Sequence, residues 1–397
     1  MTLFDRKNEA LTREDREQIQ LERLQALVAR LRKNAPGYRD ILGDIKVESL
    51  TDLARITPTT PRHLADAFPY GMFTLPLREV IRLHSTVGAD GVPLVVGHTR
   101  NDLTQWARLA ARQLVSAGCT AHDVVQVGFS GGMFNRSLAY VMGAELVEAS
   151  VIPQDTPHPH LQLAVMQNFR ASILVATPTQ ARELINAMRE KKIDPQSLQL
   201  RAVLLSRPVP AAERDELATT LFAEVRCNFG IAEILDPGLC VECREHRLHV
   251  NEDHFIVEVD KDELLVTAIT REAMPLLRYR TSVRCSMEEG ACPCGRTGAV
   301  LVPQGRMDDR LRVNEIPLYR RQIEEVLAQT RAAGHPFILS FSETSVSVAI
   351  RVSAQLFPDT VRELEALRKE VESECFSRLG IRAEVAFLSP ITFGRQG

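Results

Sequence analysis

The sequence contains little that would direct the protein to a membrane or to nucleic acid. Its 397 residues carry a formal net charge of −3, so there is no excess of positive charge to attract a polyanion or an anionic membrane. No apolar run is long enough to cross a bilayer. The first residues have no apolar core of the kind found in secretory signals. We therefore expect a cytoplasmic protein that binds neither nucleic acid nor membrane.

Several common catalytic motifs are also missing. The chain has no Gly-x-Ser-x-Gly elbow, no Walker loop and no metalloprotease motif, which argues against the enzyme classes that depend on them. What the chain does have is the composition of a globular enzyme with a substantial core, with 45% apolar and 25% charged residues. Its length predicts two or three domains.

The middle of the chain alternates strand patterns with helical patterns. Strands are predicted over residues 124–128, 172–176, 202–206 and 224–228. Such alternation is typical of βαβ units and predicts an α/β fold with a mostly parallel sheet. Ligands of such sheets bind beyond the carboxyl ends of the strands.

Other patterns flank this region. Apolar residues at helical spacing predict a helix over residues 12–34, and an antiparallel hairpin is predicted over residues 255–269. After Arg306 a new mixture of helical and strand patterns predicts a small α+β domain. We therefore divide the chain into domains at residues 1–305 and 306–397.

Two segments at predicted strand ends carry residues suited to a phosphate ligand. Residues 85–93 combine Ser85, Thr86 and two glycines, whose backbone N–H groups could cradle phosphate. A plain surface turn is the alternative, since the segment lacks the lysine that phosphate loops usually supply. Residues 228–233 end in Glu233, a carboxylate that could bind Mg²⁺, although an acid at a helix N-terminus has the same pattern.

The eight cysteines are spread through the chain, with a tight cluster between Cys240 and Cys294. Cys243, His249, Cys292 and Cys294 form a Cys₃His set, and the last two lie in a tight Cys-Pro-Cys-Gly turn. Zinc in structural sites takes four tetrahedral nitrogen or sulfur ligands, so this set predicts a structural zinc site. Cys240 and His246 are competing ligands. Buried free cysteines are the alternative.

Taken together, the motifs of the chain resemble the phenylacetate–coenzyme A ligase family of adenylate-forming enzymes, and the resemblance runs nearly from end to end. The family's Tyr-Gly-Leu-Ser-Glu-Ile turn, for example, is similar to Phe229 to Ile234. The other matching segments are Tyr38-Arg39, Leu50 to Leu53, Thr86 to Pro93, Val95 to Thr99, Thr177 to Thr179, Asp236 to Gly238, Glu242-Cys243, His249 to Phe255, Arg278 to Thr281 and Gly305 to Asp309.

This resemblance implies a large N-terminal adenylation domain and a small mobile C-terminal domain hinged near Asp308. It implies two half-reactions, in which a small carboxylic acid and ATP form an acyl-adenylate and coenzyme A then displaces AMP. ATP or AMP, Mg²⁺ and coenzyme A are the expected cofactors beside the zinc, and a homodimer is possible. Glu233 is expected to bind Mg²⁺ and to act in catalysis together with Arg395. The expected nucleotide-binding residues are Ser85, Thr86, Gly88, Asp90, Gly91, Asn228, Phe229, Gly230 and Arg306.

The chain departs from the family pattern at positions where the chemistry needs a particular side chain. Val92 replaces the lysine of the phosphate loop, Ala89-Asp90 replaces its two threonines, and Val283 replaces an aspartate that binds ribose hydroxyls. Arg395 replaces the catalytic lysine. We therefore carry two hypotheses: an acyl- or aryl-coenzyme A ligase, and a non-catalytic homologue that binds nucleotide, acyl-coenzyme A or a protein partner.

Overall fold

The computed structural model describes residues 3–87, 93–129, 136–153, 158–308, 310–314, 316–352 and 360–388. These residues form two compact units, of which the larger extends to Met307 and the smaller begins at Asp308. Among the described residues, every helix is too short or too polar to serve as a membrane span.

The larger unit contains thirteen strands in the described residues. They are β1 (Arg82–Val87), β2 (Pro93–His98), β3 (Val124–Val127), β4 (Ser150–Pro153), β5 (Ile173–Ala176), β6 (Ala202–Leu205), β7 (Glu224–Ile231), β8 (Leu235–Glu242), β9 (Leu248–Val250), β10 (Phe255–Asp260), β11 (Glu263–Ala268), β12 (Tyr279–Glu288) and β13 (Val300–Arg306).

The helices of the larger unit lie mostly before and between the parallel strands. They are α1 (Arg6–Glu9), α2 (Arg13–Asn34), α3 (Arg39–Leu42), α4 (Pro61–Asp66), α5 (Arg100–Ser116), α6 (Arg136–Leu146), α7 (Pro159–Phe169), α8 (Pro178–Lys191) and α9 (Ala211–Leu221). Short 3-10 helices cover Pro36–Tyr38, Leu50–Arg55, Leu77–Glu79 and Pro195–Leu198.

Eleven of these strands form one sheet in the order β10-β11-β12-β13-β9-β8-β7-β6-β5-β3-β4. The pairs from β4 to β7 are parallel, and every pair from β7 to β10 is antiparallel. The α/β fold class predicted from the sequence is confirmed. Strands β1 and β2 pair only with each other, as a separate two-stranded antiparallel sheet.

Helices cover both faces of the parallel part of the sheet. Ile173 of β5 belongs to the core cluster that contains Trp106 of α5, whereas its neighbour Leu174 belongs to the cluster that contains Leu184 of α8. Successive side chains of a strand point to opposite faces, so both faces of β5 are buried in apolar cores. This explains why the predicted strands at residues 172–176 and 202–206 are nearly continuous apolar runs rather than alternating ones.

Local sequence explains where several helices begin. Helix α2 begins directly after Thr12, whose hydroxyl accepts a hydrogen bond from the Asp15 amide and caps the helix. Helix α8 begins with Pro178 and has a capping box formed by Thr177 and Gln180. Because Thr177 directly follows β5, this cap fixes the chain at a carboxyl end of the parallel strands.

The smaller unit is an α+β arrangement, as its sequence patterns predict. Its elements are β14 (Arg310–Val313), β15 (Ile316–Tyr319), α10 (Arg320–Leu327), β16 (Phe337–Phe341), β17 (Val346–Arg351), α11 (Thr360–Leu379) and β18 (Ala383–Leu388). Strand β17 lies between β16 and β18, and its buried side chains share a core with Leu367 and Val371 of α11.

Candidate functional site

Polar residues gather where the parallel strands β5, β6 and β7 lie side by side. Ser206 follows β6 directly, and Asn228 lies in β7 beside it. The Asn228 amide nitrogen donates to the Asp236 carboxylate at 2.9 Å and lies 3.4 Å from the Ser206 carbonyl oxygen. The structure therefore brings Ser206, Asn228 and Asp236 together at the sheet edge where ligands of α/β folds bind.

Two polar atoms of this group have no hydrogen-bond partner among the described residues. They are Ser206 Oγ and Asn228 Oδ1, and both side chains are buried. An unsatisfied buried polar atom costs about 1–3 kcal/mol, so such atoms in native proteins call for a partner. A hydrogen-bonding ligand at the strand ends would satisfy both.

The backbone beside Asn228 leaves no room for a larger residue at Gly230. A Cβ atom at Gly230 would lie 2.7 Å from Asp236 Oδ1 and 2.8 Å from the Leu235 carbonyl oxygen. The same Asp236 carboxylate forms an ion pair with Arg136 at 3.4 Å. Phe229, between Asn228 and Gly230, is buried. The three expected nucleotide-binding residues therefore occupy consecutive positions in one strand, held in place by Asp236.

The prediction that residues 228–233 form a turn at a strand end is wrong in its boundaries. Strand β7 continues to Ile231, β8 begins at Leu235, and the tight turn between them contains Glu233. The Ile234 amide closes this turn on the Ile231 carbonyl at 2.9 Å. Pairing with β8 extends β7 because it satisfies backbone groups that a loop would leave open. Glu233 itself is buried in this turn, 5% exposed.

The predicted phosphate segment is described only in part. Ser85 and Thr86 lie in β1 rather than in a loop, which corrects the predicted start of that loop at residue 85. Thr86 is buried, and its hydroxyl has no hydrogen-bond partner among the described residues. Gly88, Asp90 and Gly91 lie outside the described residues, as does Arg395.

Val283 and Arg306 lie opposite each other on adjacent strands. They are register partners in the pairing of β12 with β13, and an Arg306 guanidinium nitrogen lies 3.3 Å from the Thr281 carbonyl oxygen. The Val283 side chain is buried and apolar, so it offers no hydrogen-bond acceptor to a ligand. Asp308, two residues after Arg306, accepts a hydrogen bond from the Tyr319 hydroxyl at 3.3 Å within the smaller unit.

A second site lies at the antiparallel part of the large sheet. The ligand atoms of Cys243, His249, Cys292 and Cys294 all lie within 4.8 Å of one another, and all four residues are buried. Cys243 Sγ is 3.8 Å from Cys292 Sγ, and Cys294 Sγ is 3.4 Å from His249 Nε2. Cys243 follows β8, His249 lies in β9, and the turn with the other two cysteines precedes β13, which pairs with β9.

The carbonyl oxygen of Gly298 orients the histidine of this cluster. His249 Nδ1 lies 3.0 Å from that oxygen and donates to it, which leaves Nε2 unprotonated and facing the thiols. A Cβ atom at Gly298 would lie 2.6 Å from the Val250 carbonyl oxygen, so a glycine is needed there. Burial lowers the pKa of His249 to about 4, which keeps the ring neutral as a metal ligand requires.

The cysteine thiols differ in how readily they lose a proton. Burial raises the pKa of Cys243 to about 12. Burial also acts to raise the pKa of Cys292, but hydrogen bonds from the Cys294 backbone and from neighbouring side chains outweigh it, so the pKa falls below its ordinary value. A divalent cation among three such sulfurs would stabilise their thiolate forms.

The two competing ligands proposed from the sequence lie outside this cluster. Cys240 belongs to the main apolar core of the larger unit. His246 is partly exposed, and its ring faces the Glu242 carboxylate at 3.7 Å. The geometry therefore selects His249 over His246, whereas the spacing of the sequence left both open.

No protein-family model matches the chain. Curated relatives match it over nearly their full length: phenylacetate–coenzyme A ligase of Thermus thermophilus is 33% identical, with 98% of this chain and 96% of the relative covered. The enzyme of the same name from Pseudomonas putida is 30% identical over 93% of this chain and 89% of the relative. The chain belongs to the phenylacetate–coenzyme A ligase family.

The fold of this family member is also found in a solved structure of 2-hydroxyisobutyryl-CoA ligase. The structure of that enzyme with its acyl-AMP and coenzyme A, in the thioesterification state, has a TM-score of 0.88 at 22% identity and covers 98% of this chain and 89% of its own. The post-adenylation state of the same enzyme has a lower TM-score of 0.71. At this level of identity the likeness shows the fold, and it confirms the fold expected from the resemblance.

Sequence reasoning missed several residues that the structure places at the strand ends. Ser206, Arg136 and Asp236 were not singled out for chemistry, although Asp236 was quoted as part of a family motif. The only signal available was the position of Ser206 at the end of a predicted strand. The contacts of Arg136 and Asp236 arise from folding and have no sequence pattern of their own.

Proposed function

We propose that this protein is an ATP-dependent ligase that joins a small carboxylic acid to coenzyme A through an acyl-adenylate. Membership of the phenylacetate–coenzyme A ligase family supports the reaction class. The observation that carries the proposal for this chain is a buried pair of polar atoms, the Asn228 Oδ1 acceptor and the Ser206 hydroxyl, neither of which has a hydrogen-bond partner among the described residues.

The residues present fit an adenine nucleotide. Adenine carries an exocyclic amine that donates hydrogen bonds, and Asn228 Oδ1 is a buried acceptor without a partner among the described residues. Ser206 Oγ can donate or accept beside it. Asp236 would hold the Asn228 amide so that its oxygen faces the base. These side chains therefore bind and orient the base, and they exclude water because they are buried.

The residues proposed to act on the phosphates are one acid, one hydroxyl and one cation. Glu233 would bind Mg²⁺, which neutralises charge on the triphosphate during attack by the acid carboxylate and release of pyrophosphate. Thr86, with its unpartnered hydroxyl, would donate to a phosphate oxygen. Arg395 would supply the cation near the developing charge. In the second half-reaction the thiolate of coenzyme A attacks the acyl carbonyl, and AMP leaves.

A non-catalytic homologue that binds nucleotide, acyl-coenzyme A or a protein partner is the second candidate function. One observation favours it: the Val283 side chain is buried and apolar at the position where the family has an acid for the ribose hydroxyls. A protein with this function would bind nucleotide at Asn228 but would release no pyrophosphate.

We also propose that the Cys₃His cluster binds one structural zinc ion. Three sulfurs and one imidazole nitrogen match the donor set of closed tetrahedral zinc sites. The ligands come from three separate segments of the larger unit, so the metal would tie the Cys292–Cys294 turn to β8 and β9. With all four positions taken by protein ligands, the site is structural rather than catalytic.

The nucleotide site is tested by Glu233→Gln. Because the carboxylate is proposed to act through Mg²⁺, the dissociation constant for Mg·ATP should rise by about tenfold or more, whereas that for AMP should change little. Calorimetric titration with each nucleotide measures both, and each factor of ten corresponds to about 1.4 kcal/mol. Asn228→Ala should weaken the binding of Mg·ATP and of AMP to the same extent, because both contain the same base.

Asp123→Asn is the matched control for this experiment. Asp123 is also a buried acid, paired with Arg201, but it directly precedes β3 and so lies at the amino end of the parallel strands. Loss of the Asp123 charge should leave the affinity for each nucleotide unchanged. Equal losses for Mg·ATP in Glu233→Gln and Asp123→Asn would contradict the assignment of Glu233.

We propose that the chain divides functionally between Gly305 and Asp308, with Asp308 as the hinge of a mobile C-terminal domain. The division of the described residues into units at Met307 and Asp308 supports this boundary. Limited proteolysis should cut near residues 305–309 and release a fragment that begins there. Cleavage confined to other parts of the chain would count against the boundary.

A cytoplasmic location and a homodimer are also proposals that rest on the sequence. Light scattering of the purified protein measures the mass of the particle. A mass of one chain at micromolar concentration would rule out a stable dimer.

A further inference from the structure

The hairpin of β1 and β2 is held in the larger unit without main-chain pairing to the large sheet. It forms its own two-stranded sheet, although it carries Ser85 and Thr86 of the proposed nucleotide site. Its position therefore depends on side-chain contacts. One group of buried residues makes polar and ring contacts with the end of β2.

Arg271 makes two of these contacts to consecutive residues of β2. One guanidinium nitrogen lies 2.7 Å from His98 Nδ1, and another donates to the Gly97 carbonyl at 2.8 Å. Arg271 is only 3% exposed. Since a guanidinium only donates, His98 Nδ1 must be an unprotonated acceptor, and the ring is neutral. Burial, aided by Arg271, His84 and Arg82, lowers the pKa of His98 well below its ordinary value.

Asp102 lies beside the Arg271 guanidinium nitrogen that contacts His98. Its carboxylate lies 3.9 Å from the Arg271 guanidinium and accepts hydrogen bonds from the backbone amides of Glu272 and Ala273, at 2.8 and 3.0 Å. The same carboxylate accepts from the Thr99 amide, one residue after His98, at 3.0 Å. The Asp102 carboxylate therefore contacts both Arg271 and the residue that follows β2.

His98 continues the connection towards the strands that hold the base. Its ring stacks on Trp106 of α5 with ring centroids 5.0 Å apart and planes within 2° of parallel. The Trp106 indole N–H donates to the Pro237 carbonyl at 2.8 Å, and Pro237 directly follows Asp236. A line of buried contacts thus joins β2 to the residue that orients Asn228.

We propose that Arg271 is a positioning residue: through His98 and Trp106 it sets the distance between the phosphate-side hydroxyls of β1 and the base-side residues Asn228 and Asp236. This inference rests on the proposed nucleotide site. ATP spans both groups, so their spacing determines its affinity and the alignment of its phosphates. The carboxylic acid substrate does not span the two groups, so its affinity does not depend on the distance between them.

The test compares Arg271→Lys with Arg112→Lys. Both arginines are buried and paired with acids, but Arg112 contacts Asp253 and Asn251 rather than the hairpin. Lysine keeps the charge and loses the fork that reaches two acceptors. Arg271→Lys should raise the KM for ATP about tenfold and leave the KM for the acid unchanged. Arg112→Lys should lower the melting temperature without changing either KM.

Hydrogen exchange gives a readout that is independent of ligase activity. Amide exchange in residues 82–98 should become faster in Arg271→Lys than in Arg112→Lys, with nucleotide absent. His98→Phe, which keeps a ring over Trp106 and removes the acceptor, should reproduce the Arg271→Lys result. Unchanged exchange in residues 82–98, or equal changes in the two lysine variants, would overturn the inference.

The same experiment separates this inference from the proposed function. If the unmodified protein binds no nucleotide, the proposed function fails, and the exchange of residues 82–98 alone then decides whether Arg271 holds the hairpin. If the unmodified protein catalyses acid-dependent release of pyrophosphate and both lysine variants have the same KM for ATP, the proposed function stands and the positioning role is wrong.

Discussion

Removing the metal from the Cys₃His cluster is expected to destabilise the larger unit and to release its N-terminal segment. Purified protein should contain about one zinc per chain, and Cys294→Ser should remove it. Loss of a structural metal ranks among the largest single-site effects on stability, of about 4 kcal/mol or more. For a unit of this size the melting temperature should fall by on the order of 10 °C.

The N-terminal segment is affected because it packs on the turn that carries two of the ligands. Arg296 forms an ion pair with Glu9 at 2.8 Å, with both side chains 2% exposed. The Thr297 hydroxyl donates to the Leu11 carbonyl at 2.6 Å, and Arg16 donates to the Thr297 carbonyl at 3.0 Å. In the described structure, residues 289–299 have no regular secondary structure to hold these contacts without the metal. Amide exchange over residues 9–16 should therefore rise when zinc is removed.

Cys240→Ser is the control for this prediction. Cys240 is fully buried like Cys243 and is close to it in sequence, but it lies in the apolar core outside the cluster. The variant should lose some stability and keep its zinc. Elemental analysis that finds no metal in the unmodified protein, or loss of zinc in Cys240→Ser to the same extent as in Cys294→Ser, would refute the proposed ligand set.

The second large effect concerns the acid-activation step. Val283→Asp combined with Arg395→Lys should raise the rate of adenylate formation. The aspartate gives the ribose hydroxyls a charged acceptor, worth about 1.5–3 kcal/mol, and the lysine provides a compact ammonium for the α-phosphate. A well-placed cation at the α-phosphate is worth on the order of 3 kcal/mol, roughly a hundredfold in rate, and because Arg395 already carries a positive charge the gain from lysine is at most this amount. Pyrophosphate release with a panel of aryl and short acyl acids measures the change.

Val283→Asn separates charge from hydrogen bonding in this experiment. Asparagine offers a neutral acceptor and is nearly the same size as aspartate. The rate of adenylate formation should therefore rise less in Val283→Asn than in Val283→Asp. Val283 is 5% exposed, so thermal melting must show that each variant is folded before rates are compared. If the unmodified protein already turns over an acid at an ordinary rate of about 10 s⁻¹, the departures at Val283 and Arg395 do not impair it.

Elements with strong local signals could be predicted from the sequence nearly to the residue. The helix predicted over residues 12–34 is observed over Arg13–Asn34, with Thr12 as its cap. The α+β pattern predicted after Arg306 is likewise observed, and it includes the helix Thr360–Leu379 and the strand Ala383–Leu388. In each of them periodicity, caps and burial favour the same structure.

The β7–β8 pair could not be predicted in the same way. Asp236, Pro237 and Gly238 are residue types that favour turns, and no local pattern places them in a strand. Yet β8 is buried along its whole length and pairs with both β7 and β9. Tertiary pairing overrides local turn preference here, so that the strand predicted to end at Asn228 continues through Phe229 and Gly230.

The two parts of the candidate site differ in how much the sequence revealed. The Cys₃His cluster could be predicted from the sequence, because cysteines with short spacings have few other roles in a reducing compartment. For residues 228–233 the sequence pattern indicated only an acid at a strand end, and the roles of Asn228, Phe229 and Gly230 came from the family resemblance. Arg271 could not be found from the sequence, because its contact with His98 joins residues 173 positions apart.

Acid-dependent cleavage of ATP by the unmodified protein tests the central claim most directly. With a panel of aryl and short acyl acids, Mg·ATP and coenzyme A, the ligase reaction should yield AMP, pyrophosphate and an acyl-coenzyme A thioester in equal amounts. Omission of the acid should abolish all three. Binding of AMP without acid-dependent release of pyrophosphate for any acid of the panel would contradict the ligase and leave the non-catalytic homologue as the function.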